Sequence, residues 1–219
     1  MGDEVRARAV FAALAVAAGC AGCSSEMSIA NSAEAQAGAG WKVTVYYTAV
    51  ESYHSRDDLV AVTGCRVLDC SNGSDELGSY PRTFVKAVKD EGTGRITTGK
   101  QAGRYLNWSS GEGYWLDDAP RDSAGGALVP YRSAAADGVP AGRHVRIIDC
   151  GRNEDQEAQR RSCPVLRDAT WEIRDEFTPG LGGERHIDLY IGEENAPDFT
   201  SGPSFTTFED ATLDLLPPA

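Results

Sequence analysis

The sequence predicts a mainly β fold, a compact β-barrel with one or two small helices, and three observations carry that reading. Short runs rich in β-branched and aromatic residues recur along the chain between Gly- and Pro-containing turns. Four cysteines, an even number, are spread through these runs as a disulfide framework would require. A basic and then apolar segment at the N-terminus has the form of an export signal, which leaves the remainder to fold in an oxidising compartment.

The elements follow in order. Lys42 to Thr48 (KVTVYYT) is a first strand by composition, with Trp41 opening the domain. Tyr80 to Lys89 spaces Phe84, Val85 and Val88 along one face and predicts a short helix. Gly92 to Gly103 is punctuated by glycine and reads as a hairpin or loops, whereas Tyr105–Trp108 and Gly113–Leu116 read as short aromatic strands. The turn Val139-Pro140-Ala141-Gly142 leads into a strand ending at Cys150. Asn153 to Arg161 is polar and predicts a solvated loop or helical turn. Ala169–Asp175 and His186–Ile191 complete the strands, and Thr178–Gly183 between them is a breaker-rich loop. There is no internal repeat.

With 219 residues, 41% hydrophobic and 25% charged, the chain is long enough for one domain with an ordinary core. The expected division is an export segment over residues 1–23, a flexible spacer over 24–40 and the domain over 41–219. In the first of these, Arg6 and Arg8 precede the apolar run Ala9–Ala18, too short to span a bilayer. A buried N-terminal helix is the competing reading. Ala17-Ala18-Gly19-Cys20 resembles a bacterial lipobox and makes Cys20 the expected lipidation site, with Cys23 as a second candidate. The net charge of −12 argues against nucleic acid and bare anionic membrane as partners, so a membrane association is expected only through the lipid. A monomer is expected.

Cys65, Cys70, Cys150 and Cys163 allow three connectivities. Short loops close most easily, so Cys65–Cys70 with Cys150–Cys163 is the favoured pairing and the other two stay open. Zinc would require His at ligand spacing beside these cysteines, and none stands there, so no metal is expected. A phosphate-binding glycine loop and a Ser-His-Asp signature are also missing, and no cofactor is expected.

Three segments taken together resemble a family. Ser133 to Gly142 (SAAADGVPAG) precedes the strand Val145-Arg146-Ile147, Asp175 to Gly180 (DEFTPG) follows, and Gly183 to Gly192 (GERHIDLYIG) comes last. This order resembles the three-aspartate domain of bacterial cell-wall proteins, in which one aspartate precedes a Pro-x-Gly turn, a second opens a glycine-rich loop and a third lies in an Arg-x-Asp-Leu-aromatic strand. Thr44-Val45-Tyr46 resembles the Thr-x-Tyr of that family's first strand, and His186-Ile187-Asp188 resembles the His-Phe-Asp of expansins. The resemblance covers roughly residues 41–216. It departs at Glu176-Phe177, where the family has Thr-Gly, and over Ser52 to Gly103, an insertion with no counterpart. It implies a six-stranded double-psi β-barrel, the fold of membrane-bound lytic transglycosylase A and of the catalytic-like expansin domain.

The resemblance also implies chemistry. A lytic transglycosylase needs one carboxylic acid to protonate the leaving glycosidic oxygen, after which the sugar's own 6-hydroxyl closes onto the anomeric carbon. Asp188 is then the expected acid, its pKa raised by an apolar wall. Asp175 is the expected assisting carboxyl. Asp137, Thr44, Tyr46, His186 and Tyr190 are the expected substrate-binding set, and peptidoglycan or another cell-wall polysaccharide is the expected partner. Tyr47, Trp108 and Trp115 are further stacking candidates, weighed against the commoner role of aromatics as core. The turn role of Asp137 before Gly138 is the bland alternative for that residue. At the level of function, the alternatives are a non-catalytic expansin-like module using the same groove and a structural lipoprotein.

Overall fold

The computed structural model describes residues 38–68 and 70–216. The expected export segment, Cys20 and Cys23, and all but the last three residues of the expected spacer lie outside them. Eleven strands and two helices follow one another: β1 (Gly38–Val50), β2 (Leu59–Gly64), β3 (Asp75–Pro81), α1 (Arg82–Glu91), β4 (Thr93–Arg95), β5 (Tyr105–Ser109), β6 (Gly113–Asp117), β7 (Ser133–Ala136), β8 (His144–Asp149), α2 (Gln156–Asp168), β9 (Trp171–Asp175), β10 (His186–Glu193) and β11 (Phe208–Leu216). The first strand thus begins three residues before Trp41, within the stretch read as spacer.

Six strands hydrogen-bond in a closed circuit, β1–β10–β7–β9–β8–β11 and back to β1. β1–β10 and β7–β9 are parallel and the other four pairings are antiparallel. Closure leaves these strands no free edge inside the circuit. β1 is long enough to serve two layers. Its Ala49 and Val50 run on to pair with β4, which carries β5 and β6.

The segment read as an unplaced insertion is therefore an ordered layer. It comprises the β2–β3 hairpin, α1 and β4, and β4 joins β5 and β6 beyond Gly103 to complete the layer. α1 packs Phe84 and Val88 into the same apolar cluster that holds Val43, Val45, Ile187 and Leu189, so both layers share one core. Gly92 ends the helix at φ 87°, a left-handed conformation that glycine adopts without a Cβ clash.

Strand alternation decides what faces where. Val43, Val45, Tyr47 and Ala49 of β1, and Ile187, Leu189 and Ile191 of β10, enter the main core. Thr44, Tyr46 and Thr48, with His186, Asp188 and Tyr190, consequently occupy the opposite face. The register opposes Thr44 to Asp188 and Tyr46 to Tyr190. A one-residue slip would drive Asp188 into the apolar core and expel Ile187 and Leu189, each worth roughly 1.5–3 kcal/mol when buried.

Both disulfides join the locally paired cysteines. Cys65–Cys70 and Cys150–Cys163 have Cα separations of 5.7 and 5.9 Å. Asn153–Arg161, expected as a loop or helical turn, instead opens the 13-residue helix α2. Asp155 caps it by accepting from the Glu157 N–H, and Ala158, Cys163 and Leu166 are buried at helical spacing. The helix continues past Pro164.

Candidate active site

A cleft of about 430 Å³ opens where the face of β1 and β10 that bears Asp188 meets the second layer. Asp188, Asp175, Tyr46 and His186 line it from the strand circuit, Glu91 and Trp108 from the second layer, and Phe177 and Leu181 from the loop after β9. The cleft is acidic. Asp90, Glu91, Glu112, Asp175, Glu176 and Asp188 line it against a single arginine, Arg121.

Asp188 is half-buried in the middle of β10. The Thr44 hydroxyl donates to its Oδ1 at 2.7 Å. Burial pushes its pKa up to about 6; the Thr44 hydrogen bond opposes the rise and the nearby Asp175 charge adds to it. Thr44 Oγ1 also lies 2.9 Å from His186 Nε2. With the hydroxyl proton committed to Asp188, Thr44 accepts from an Nε2–H on the imidazole. His186 is held below its ordinary pKa by burial and by Lys42, and its ring rests 4.6 Å from that of Phe177.

Asp175 ends β9 and is more firmly tied. Its Oδ1 accepts from the backbone N–H groups of Ser123 and Glu176, both at 2.9 Å, and its Oδ2 accepts from the Tyr46 hydroxyl at 3.1 Å. Burial raises its pKa, and the three donors hold the rise in check. The turn that delivers the Ser123 N–H is organised by buried Asp122, which accepts from Ala124 N and Gly126 N. Asp175 is therefore fixed in orientation by three donors, whereas Asp188, which also lines the cleft, has Thr44 as its one side-chain donor.

Three of the expected substrate-binding residues, Thr44, Tyr190 and Asp137, lie outside the cleft lining, although Thr44 reaches the site through its hydrogen bond to Asp188. Tyr190 is 1% exposed, packed against Tyr46 and Leu128, and its hydroxyl shares a 2.6 Å hydrogen bond with Thr48. Alternation put it on the correct strand face, but Leu128, from a loop far away in sequence, covers it. Asp137 is exposed and outside the cleft lining. Its Oδ2 accepts from Gly183 N at 2.8 Å and so ties the loop after β9 to the turn after β7. The approach is close enough that a Cβ on Gly182 would meet Asp137 Oδ2 at 2.1 Å. Among the other aromatics, Trp108 lines the cleft, while Trp115 and Tyr47 are core.

Glu91 is the residue that sequence reasoning missed. It is the last residue of α1, and its Oε2 accepts from the Tyr47 N–H at 3.3 Å. Burial, and then the charge of Asp188, raise its pKa to about 8. Strand β1 thus holds three of the cleft carboxyls: Asp188 through Thr44, Asp175 through Tyr46 and Glu91 through Tyr47. Among the described residues, no group of three or more His, Cys, Asp or Glu is placed to hold a metal ion, and no helix is long and apolar enough to cross a membrane.

No protein-family model matches the chain, and no curated protein matches it by sequence. Solved structures do. The chain is similar to MltA of Escherichia coli with bound chitohexaose, at 12% identity and a TM-score of 0.50, over 82% of this chain and 73% of that one. A membrane-bound lytic murein transglycosylase from Agrobacterium tumefaciens aligns at 10% identity and a TM-score of 0.48, over 81% and 74% of the two chains. At 12% identity the likeness to the E. coli protein concerns architecture alone, and it agrees with the resemblance read from the three aspartate segments: the chain has an MltA-like fold.

Proposed function

We propose that this chain is an exported cell-envelope protein that cleaves peptidoglycan glycan strands by the lytic transglycosylase reaction, with Asp188 as general acid. The observation that carries the reading is the state of Asp188. It is a half-buried carboxyl with a pKa near 6, oriented by one hydroxyl donor and open to a cleft of glycan-binding size. We read the closed circuit of six strands as a double-psi β-barrel.

In the reaction, the protonated Asp188 gives its proton to the glycosidic oxygen as the bond to the anomeric carbon breaks. The 6-hydroxyl of the same sugar then closes onto that carbon and gives its proton to the now ionised Asp188, which restores the acid, and no second carboxylate is needed to activate water. Asp175, immobilised by three donors, orients the sugar or the acid and does not itself transfer the proton. Trp108 on one wall and Phe177 with Leu181 on the other offer apolar faces to sugar rings. The chitohexaose bound by the E. coli protein is a glycan of the same chemical class. Two disulfides fit an exported protein, with Cys20 as lipid anchor.

Incubation of the purified protein with insoluble peptidoglycan, followed by mass spectrometry of the soluble fraction, tests this reading. Release of 1,6-anhydro muropeptides is expected. Binding to peptidoglycan with no released product at any pH would leave a non-catalytic, expansin-like module instead.

A further inference from the structure

The second layer does more than support the strand circuit: it brings the carboxyl of Glu91 into the cleft, close enough to Asp188 for their charges to interact. Glu91 reaches this place because α1 stops there. Gly92 turns the chain in the left-handed region, and Val88 and Phe84 anchor the preceding turns in the core. One oxygen, Oε2, is committed to the Tyr47 N–H. The other, Oε1, has no protein hydrogen-bond partner among the described residues, and Glu91 lines the space a ligand would fill.

The charges around Glu91 disfavour a second anion there. Asp188 faces it from β10 and Asp90 adjoins it on α1, while the nearby Lys86 of α1 is itself bound to Asp90. From β1 it meets the buried Tyr47, whose own pKa is pushed up by burial and then by Glu91. The β5 residues that line the cleft with it, Trp108 and Ser109, are uncharged. Across the cleft stand Glu112, Asp175 and Glu176, and Arg121 there is paired with Asp117 and Asp118.

We propose that Glu91 is a glycan-positioning residue whose Oε1 carries a proton and donates it in a hydrogen bond to an acceptor oxygen of the sugar seated against Asp188. This deepens the reading of the cleft as a glycan site and rests on it. A carboxylic acid in that position is a donor in a cleft whose other carboxyls, when ionised, only accept. Ionisation would both remove the donor and set a negative charge against the sugar's oxygens. Sugar affinity is therefore tied to the protonated fraction of Glu91, which falls about tenfold between pH 7 and pH 9 for a group titrating near pH 8. Over that interval Asp188 is already ionised and Tyr46, Tyr47 and Tyr190 are not.

The test is calorimetric titration of chitohexaose into the full chain, as wild type, Glu91→Gln and Glu91→Ala, at pH 7 and pH 9. The amide reproduces a neutral, donating side chain that no longer titrates. We expect wild-type affinity to fall about tenfold from pH 7 to pH 9, most of the pH 7 affinity to survive in Glu91→Gln with no fall at pH 9, and weak binding by Glu91→Ala at both. Wild-type affinity in Glu91→Ala, a Glu91→Gln as weak as Glu91→Ala at pH 7, or a fall at pH 9 that persists in Glu91→Gln would each overturn the role of Glu91 while leaving the glycan site standing. Absence of chitohexaose binding by the wild type at both pH values would overturn the glycan site and the role of Glu91 together.

Discussion

Thr44 and Asp188 stand opposite one another in the parallel pair β1–β10, and the threonine hydroxyl donates to the aspartate at 2.7 Å. That hydrogen bond favours the ionised acid, against the burial that favours the neutral one. Removing it in Thr44→Val should raise the Asp188 pKa. A hydrogen bond to a charged group is worth about 1.5–3 kcal/mol, so the shift should be roughly one to two pH units. A general acid loses activity as pH rises through its pKa, so the alkaline limb of kcat should move to higher pH by that amount. A pH–rate profile of the variant checks this, and an unmoved limb would detach Thr44 from the acid.

Asp175 should behave differently. Its carboxylate is held by Tyr46, Ser123 and Glu176, and it has no free role as a proton donor. Asp175→Asn and Tyr46→Phe should lower kcat/KM by about tenfold each, the order of one net hydrogen bond to a charged group. Steady-state kinetics on soluble glycan fragments would measure it. A loss from Asp175→Asn as large as that from Asp188→Asn would move the acid assignment.

Stability should carry the signature of the raised carboxyls. Folded Glu91 titrates near pH 8 and its unfolded form near 4.5, so between those values the native state binds more protons than the unfolded state. Stability then falls as pH rises across that window and levels off above it. Glu91→Gln removes this contribution. The difference in melting temperature between Glu91→Gln and wild type should therefore shift in favour of the variant from pH 5 to pH 8. A difference constant with pH would contradict the buried, proton-holding state of Glu91.

The Cys150–Cys163 bridge closes a loop of separation 13 that contains most of α2. In the chain-entropy model such a bridge is worth about 3 kcal/mol. The double variant Cys150→Ser, Cys163→Ser should lose stability on that order in urea unfolding, with little change in the cleft, which neither residue lines. Loss of glycan binding in a variant that remains folded would show that α2 and the cleft are coupled.

How much of this was legible in the sequence follows from how local each signal is. The alternation in Lys42–Thr48 and His186–Ile191 sorts Val43, Val45, Ile187 and Leu189 from Thr44, Tyr46 and Asp188 without reference to any partner. The cysteine pairs are close in sequence and close in space. β11 also carries alternation, in Ala211, Leu213 and Leu215, but acidic residues interleave it and no strand was expected there. β7 is four small residues, Ser133–Ala136, with no β-branched side chain to mark a strand, and it is buried only because β10 and β9 flank it. Tyr190 looked like a cleft residue until Leu128 covered it, and Glu91 looked like one more charge at a helix end until the tertiary fold set it beside Asp188. Both depend on contacts between segments distant in sequence, which no periodicity encodes.

The central claim is that Asp188 supplies the proton. Its most direct test is turnover of purified peptidoglycan by wild type and Asp188→Asn, with 1,6-anhydro products quantified by mass spectrometry and folding checked by circular dichroism. The amide keeps the shape of the side chain but has no acidic proton to give. General acid catalysis is worth about 10²–10⁴-fold, so product formation should drop by at least about a hundredfold in a variant that still folds and still binds peptidoglycan. Wild-type rates of anhydro product release by Asp188→Asn would contradict the account.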